Sequence, residues 1–122
     1  MSVLGIVNDE MNSMNVPYEF MEWTSAVTYP YWVGEYFEVP TVTEDGYRET
    51  SLILTGTTKG SWLELEQIWA MIEKRFRYGV NYSTDEGAVA IFYSNSFPVP
   101  TGEADLKRIQ INLQVKEWKG MI

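Results

Sequence analysis

The chain has 122 residues and a mass of 14.1 kDa, the size of a single domain that can bury a hydrophobic core. It contains neither cysteine nor histidine, which excludes disulfides, thiolate- or imidazole-bound metal, and Ser/His/Asp or Cys/His catalysis. The net charge of -8 disfavours specific nucleic-acid binding, and no apolar run approaches the length of a membrane span. We therefore predict one domain over residues 1–122, with no cofactor, no metal, no membrane contact and no specific nucleic-acid contact.

The first predicted element is an N-terminal helix. In "SVLGIVNDEMNSM" apolar residues recur at helical spacing, and Pro17 closes the region. These apolar residues are Val3, Ile6, Val7 and Met11. The pattern from Tyr18 to Thr28 is too weak to assign, although it leaves room for a short strand.

A β-hairpin is predicted next. "YWVGEYFEV" alternates between Pro30 and Pro40, and a second β-rich run extends from about Tyr47 to Thr57. The intervening "TEDGYR" contains Asp45-Gly46, a frequent hairpin turn. We expect the two strands to pair in antiparallel fashion.

The clearest helix lies in "GSWLELEQIWAMIEKRFRYG". Ser61 and Glu64 have the spacing of a capping box, and Gly79 marks the C-terminal stop. Acidic residues occupy the first turns and basic residues the last, which suits the helix dipole. The apolar stripe consists of Leu65, Ile68, Trp69, Ile72 and Phe76.

Two strands are predicted after this helix. "GAVAIFYSN" is nearly all apolar from Ala88 to Tyr93, which is typical of an interior strand covered on both faces. "SFPVPTGEAD" forms the connection, and "DLKRIQINLQVKEW" alternates as a strand with one buried face. The fold class is therefore α+β, with a single mixed or antiparallel sheet of about four strands. The N-terminal helix and one long central helix pack on that sheet.

The polar face of the last strand carries three neutral amides, Gln110, Asn112 and Gln114. Amides offer donors and acceptors without the desolvation cost of an ion. We expect them to face a neighbouring subunit or a helix of the same chain, and a solvent-exposed sheet face is the alternative.

The sequence gives little support for catalysis. Glu44-Asp45 and Asp85-Glu86 each precede glycine, a pattern typical of solvated turns. "GTTKGS" lacks the glycine spacing of a phosphate-binding loop. We predict that the protein is not an enzyme. A second class of function is a sugar- or peptide-binding platform of aromatic rings, for which the candidates are Tyr31, Trp32, Tyr36, Trp62 and Trp69.

Three stretches resemble the small tail-terminator or tail-completion proteins of long-tailed bacteriophages and prophages of Gram-positive bacteria. They are "YPYWVGEYFEV", "LILTGTTKGSWLELEQ" and "GAVAIFYSNSFPVPTGEADLKRIQINLQVKEWKG". The resemblance covers about Pro30 to Gly120 and rests on element order and sequence character. It provides no catalytic motif, so no functional residue is transferred from the family.

The resemblance implies an α+β subunit that assembles as a ring, typically a hexamer, at the head-proximal end of the tail tube. The implied partners are further copies of the chain, the major tail tube protein and the head-completion protein. The implied location is the virion, and the host cytoplasm during assembly. An acidic chain suits a ring through which DNA slides, because a negative lumen repels phosphate. The alternatives are another head–tail connector or minor capsid component and, more remotely, a carbohydrate- or peptide-binding module.

The residues predicted to form subunit contacts combine exposed rings, two loops and the amide row. They are Trp32, Tyr36, Asp45, Tyr47, Arg48, Pro98, Pro100, Gln110, Asn112 and Gln114.

Overall fold

The computed structural model describes residues 3–20, 29–39, 47–84 and 87–119. Within these ranges the chain forms two helices and six strands, so the predicted α+β class is confirmed. In chain order the elements are α1 Val3–Ser13, β1 Tyr18–Phe20, β2 Tyr31–Val39, β3 Tyr47–Lys59, α2 Trp62–Phe76, β4 Val80–Thr84, β5 Gly87–Pro98 and β6 Leu106–Lys119.

The strands form one mixed sheet in the order β1-β2-β3-β6-β5-β4. β1 runs parallel to β2, and the other neighbours are antiparallel. The two longest strands, β3 and β6, pair side by side in the middle of the sheet. The predicted hairpin of β2 and β3 is confirmed, with Val39 opposite Glu49. Its turn, including Asp45-Gly46, lies outside the described residues.

The prediction of about four strands is wrong in number, because it left β1 unassigned and missed β4. β1 has only three residues, and β4 has five. A strand this short carries too few alternations to be recognised by periodicity. Each is defined instead by the neighbour with which it pairs, β2 for the first and β5 for the second.

The ends of α2 follow the sequence signals in part. The Ser61 side chain accepts a hydrogen bond from Leu63 N at 3.0 Å, as an N-cap should. Glu64 accepts instead from Thr58 Oγ1 at 3.3 Å, so it binds β3 and does not complete the capping box. Gly79 has φ +87° and its N–H donates to Phe76 O at 3.0 Å, which confirms the predicted stop.

One face of the sheet is packed against the helices, and we call it the covered face. α2 contacts β3, β5 and β6, and α1 contacts β1. The fully buried residues on this side include Leu65, Ile72 and Phe76 of α2, Leu52 and Leu54 of β3, and Ile109, Ile111, Leu113 and Val115 of β6. The predicted helical stripe and the alternation of β6 are therefore confirmed, although Ile68 and Trp69 are only half-buried.

The prediction that β5 is covered on both faces is wrong. Within the apolar run, Ala90 and Ile91 are buried, but Ala88, Val89, Phe92 and Tyr93 are only half-buried. The reason is that both helices lie on the covered face. β5 also continues to Pro98, so the connection to β6 is shorter than predicted.

Candidate interaction surface

The opposite side of the sheet, which we call the open face, carries the amide row at its centre. Gln110, Asn112 and Gln114 alternate with the buried aliphatic residues of β6 and are half-buried. The register places Asn112 between Ile53 of β3 and Asn95 of β5. The amides therefore lie beside other strands rather than beneath a helix of the same chain.

Hydrogen bonds join these amides of β6 to one another or to side chains on the neighbouring strands β3 and β5. Gln110 Nε2 donates to Asn112 Oδ1 at 3.1 Å, and Asn112 Nδ2 donates to Asn95 Oδ1 at 2.7 Å. Gln114 Nε2 donates to a carboxylate oxygen of Glu49 on β3. The row is thus held in a defined orientation before any partner binds, which lowers the entropy lost on binding.

A shallow polar depression lies next to this row, where β5 contains a bulge. The pairing shifts from Tyr93–Leu113 to Asn95–Asn112, which leaves Ser94 as the extra residue. The depression has a volume of about 220 Å³. It is lined by Glu49, Ser51, Ser94, Asn112, Leu113 and Gln114. Hydroxyl, amide and carboxylate groups converge there, so the surface can exchange hydrogen bonds with a polar ligand or a protein loop.

Trp32, predicted to contact a partner, is instead fully buried, with 0% exposure. Its neighbours at the same parity are Gly34 and Tyr36, all on the covered face. Gly56 makes room for the indole, since a Cβ at Gly56 would lie 2.5 Å from the ring. Trp32 therefore leaves no ring surface for a subunit contact, and its neighbour Tyr31 is the one that points to the open face.

The other predicted contact residues are distributed around the sheet. Tyr36 is half-buried on the covered side, where its Oη donates to Glu117 Oε1 at 2.8 Å. Pro98 ends β5 and Pro100 follows it, both exposed. Asp45 lies outside the described residues, and the side chains of Tyr47 and Arg48 at the start of β3 do too.

Sequence reasoning missed Glu49, Ser94 and Asn95 as members of this surface. Glu49 is 65 residues from Gln114 in the sequence. Only the strand register brings such positions together, and the register depends on the whole sheet. The one local signal was the polar run Ser94-Asn95-Ser96, which directly follows an apolar strand.

A second polar cluster joins α1, α2 and β4 on the covered side. Glu10 is 6% exposed and accepts two hydrogen bonds from Arg75, from Nε at 2.6 Å and from Nη2 at 2.8 Å. Tyr82 Oη also donates to Glu10.

The Arg75 hydrogen bond holds the pKa of Glu10 below its usual range despite burial. Burial, followed by the hydrogen bond to Glu10, raises the pKa of Tyr82 to about 12. The carboxylate thus favours its ionised form and accepts three hydrogen bonds, which suits a structural ion pair and not a proton acceptor.

The described part of the chain contains no group of three or more acidic side chains placed to bind a metal ion. Neither of its helices is long and apolar enough to cross a membrane.

No family model and no curated protein matches the sequence. A solved structure of a protein whose name records no function is similar in fold, with a TM-score of 0.68. The two chains are 13% identical, and the match covers 100% of this chain and 98% of the other. At this identity the similarity shows a shared fold only, because one fold serves many functions.

Proposed function

We propose that the protein is a structural subunit of a long-tailed bacteriophage or prophage virion. It caps the head-proximal end of the tail tube and joins the tube to the head-completion protein, as a ring of identical subunits. Its partners are further copies of itself, the major tail tube protein and the head-completion protein. It is made in the host cytoplasm and acts in the virion.

The open face is the observation that carries this proposal. Each primary amide has two N–H groups and one acceptor oxygen. The hydrogen bonds of Gln110, Asn112 and Gln114 each use one side-chain N–H. The second N–H group of each amide could pair with a neighbouring subunit without desolvating an ion.

Two further features support the proposal. The first is the resemblance over about Pro30 to Gly120, whose implied α+β class agrees with the fold. The second is the net charge of -8, which would let DNA pass through a ring without adhering to it.

The test is a pair of charge-matched variants in the phage or prophage that encodes the protein. Gln110→Lys with Gln114→Lys adds two charges to the open face. Asn8→Lys with Asn12→Lys adds the same two charges to the exposed side of α1. Electron microscopy of lysates should show unjoined heads and tails of abnormal length for the first variant only.

Two results would contradict the proposal. Normal joined virions from a correctly folded open-face variant would mean that the amides only face water. Normal tails after deletion of the whole gene would exclude the terminator function itself.

The polar depression supports a second candidate function, a carbohydrate-binding module. Phe97, 43% exposed, lies opposite Gln110 and could stack on a sugar ring beside the depression. Calorimetric titration with a panel of saccharides tests this. Binding that is lost in Asn112→Ala would favour this candidate over the virion subunit.

A further inference from the structure

The side of α2 that points away from the sheet changes from negative to positive charge along the helix. It consists of Leu63, Glu66, Ala70, Lys74 and Arg77, all exposed, and we call it the α2 stripe. At 3.6 residues per turn these positions share the side of the helix opposite its buried residues. The N-terminal half is apolar and acidic, the middle is a small alanine, and the C-terminal half is basic.

Several side chains on this side of α2 are exposed or have no polar partner. Leu63 is 58% exposed and Met71, at the edge of the stripe, is 41% exposed. A groove of about 340 Å³ lies beside Met71 and is lined by Met14, Met71, Lys74 and Arg75. Within the described part of the chain, the side chains of Glu66 and Lys74 form no hydrogen bond or ion pair.

We propose that a second copy of this chain binds to the α2 stripe, with the two α2 helices antiparallel and a two-fold axis at Ala70. A rise of about 1.5 Å per residue puts Glu66 about 6 Å to one side of Ala70 and Lys74 about 6 Å to the other. The two-fold axis therefore brings Glu66 of each copy opposite Lys74 of the other. A single surface is complementary to itself, as a two-fold contact requires.

The apolar residues of the stripe fit the same arrangement. Ala70 has a short side chain, so the helix axes can approach closely where they cross. Met71 lies next to the axis and meets the Met71 of the second copy. Leu63 reaches the aliphatic stems of Lys74 and Arg77. A parallel arrangement would oppose Glu66 with Glu66 and Lys74 with Lys74, which charge repulsion disfavours.

This inference does not depend on the proposed function, because the α2 stripe and the open face lie on opposite sides of the sheet. One helix pair covers less than the roughly 1,200–2,000 Å² buried in typical stable interfaces. The dimer should therefore be weak and dependent on protein concentration.

A charge exchange tests the pairing. Across a concentration series, sedimentation should show the wild type rising from 14.1 kDa toward twice that mass. Glu66→Lys and Lys74→Glu should each weaken association about tenfold or more, because each replaces two attractive contacts with repulsive ones. An equimolar mixture of the two variants should recover it, since every contact in the mixed dimer is again between opposite charges.

Glu103→Lys is the control for net charge, since it makes the same charge change at an exposed position outside the stripe. It should associate like the wild type. Wild-type protein that stays monomeric at every concentration would overturn the proposal, and so would single variants that associate normally or a mixture that does not recover. An assembly larger than a dimer that is restored by the mixture would also overturn it.

A cross-link gives a second measurement that is independent of charge. The chain has no cysteine, so Ala70→Cys introduces one thiol per copy at the proposed axis, where two cysteines can reach disulfide distance. Mild oxidation should yield a covalent dimer, and Glu103→Cys treated in the same way should remain monomeric. Equal yields from the two variants would mean random collision and would contradict the two-fold contact.

Discussion

The two faces of the sheet differ in how their side chains are stabilised. On the covered face, Ile109, Ile111 and Leu113 are at most 1% exposed and lie in the strand that packs against α2. On the open face, Gln110, Asn112 and Gln114 remain half-buried and donate hydrogen bonds to one another or to polar side chains of β3 and β5. The first face is stabilised by close packing and the second by directional pairs, so a substitution should affect folding on one face and association on the other.

The largest expected effect is on the covered face. Ile72→Ala removes a side chain with 0% exposure between α2 and the sheet. We expect it to lower the free energy of unfolding by about 2–5 kcal/mol, because a closed site keeps much of the resulting cavity. Urea unfolding measures the loss, with exposed Gln67→Ala as the control. A loss below about 0.5 kcal/mol would show that α2 does not pack as described.

Adding a side chain to the covered face should lower the free energy of unfolding by somewhat less than Ile72→Ala does. In Gly56→Ala the new Cβ would lie 2.5 Å from the Trp32 indole, and such overpacking costs about 1–3 kcal/mol. Trp32→Phe in the same chain should recover part of this loss, because the smaller ring makes room for the methyl group. A double-mutant cycle on unfolding free energies checks the coupling, and strictly additive losses would refute the contact.

The Glu10 cluster should make the covered side sensitive to acid. The folded-state pKa of Glu10 lies below its ordinary value of 4.5. Its stabilisation is therefore complete above the unfolded-state pKa and is lost as pH falls through the folded-state pKa.

Near neutral pH, Glu10→Gln should lower the free energy of unfolding by about 1–3 kcal/mol, and this difference from the wild type should shrink on acidification. Urea unfolding of both proteins across the acidic range tests whether this stability difference shrinks as the pH falls. A difference that stays constant or grows as pH falls would contradict the assignment.

The smallest effect on folding is expected on the open face. Gln110→Ala with Gln114→Ala should change the free energy of unfolding by no more than about 0.5 kcal/mol per position, because water can replace the lost partners of half-exposed groups. Thermal unfolding monitored by circular dichroism measures this. A loss of unfolding free energy comparable to that of Ile72→Ala would show that the open face contributes to folding as much as the covered face does.

Much of the fold could be predicted from local pattern. The alternation of β6, the stripe and stop of α2, and the β2-β3 hairpin each follow from residues close together in sequence. The candidate surface was predicted less completely. The amide row was recognised from its parity in β6, but the strand register alone brings Glu49 and Asn95 beside it. Trp32, predicted to contact a partner, is buried.

The sequence by itself determined the two helices, the four longer strands and which side of β6 is apolar, because period and composition are local properties. Only the tertiary structure decided the strand order, the two short edge strands, the burial of Trp32 against Gly56, and the tie between Glu10 and Arg75. Those features depend on contacts between residues distant in sequence. Such contacts are selected by the packing and hydrogen bonding of the whole sheet, which no short window of sequence contains.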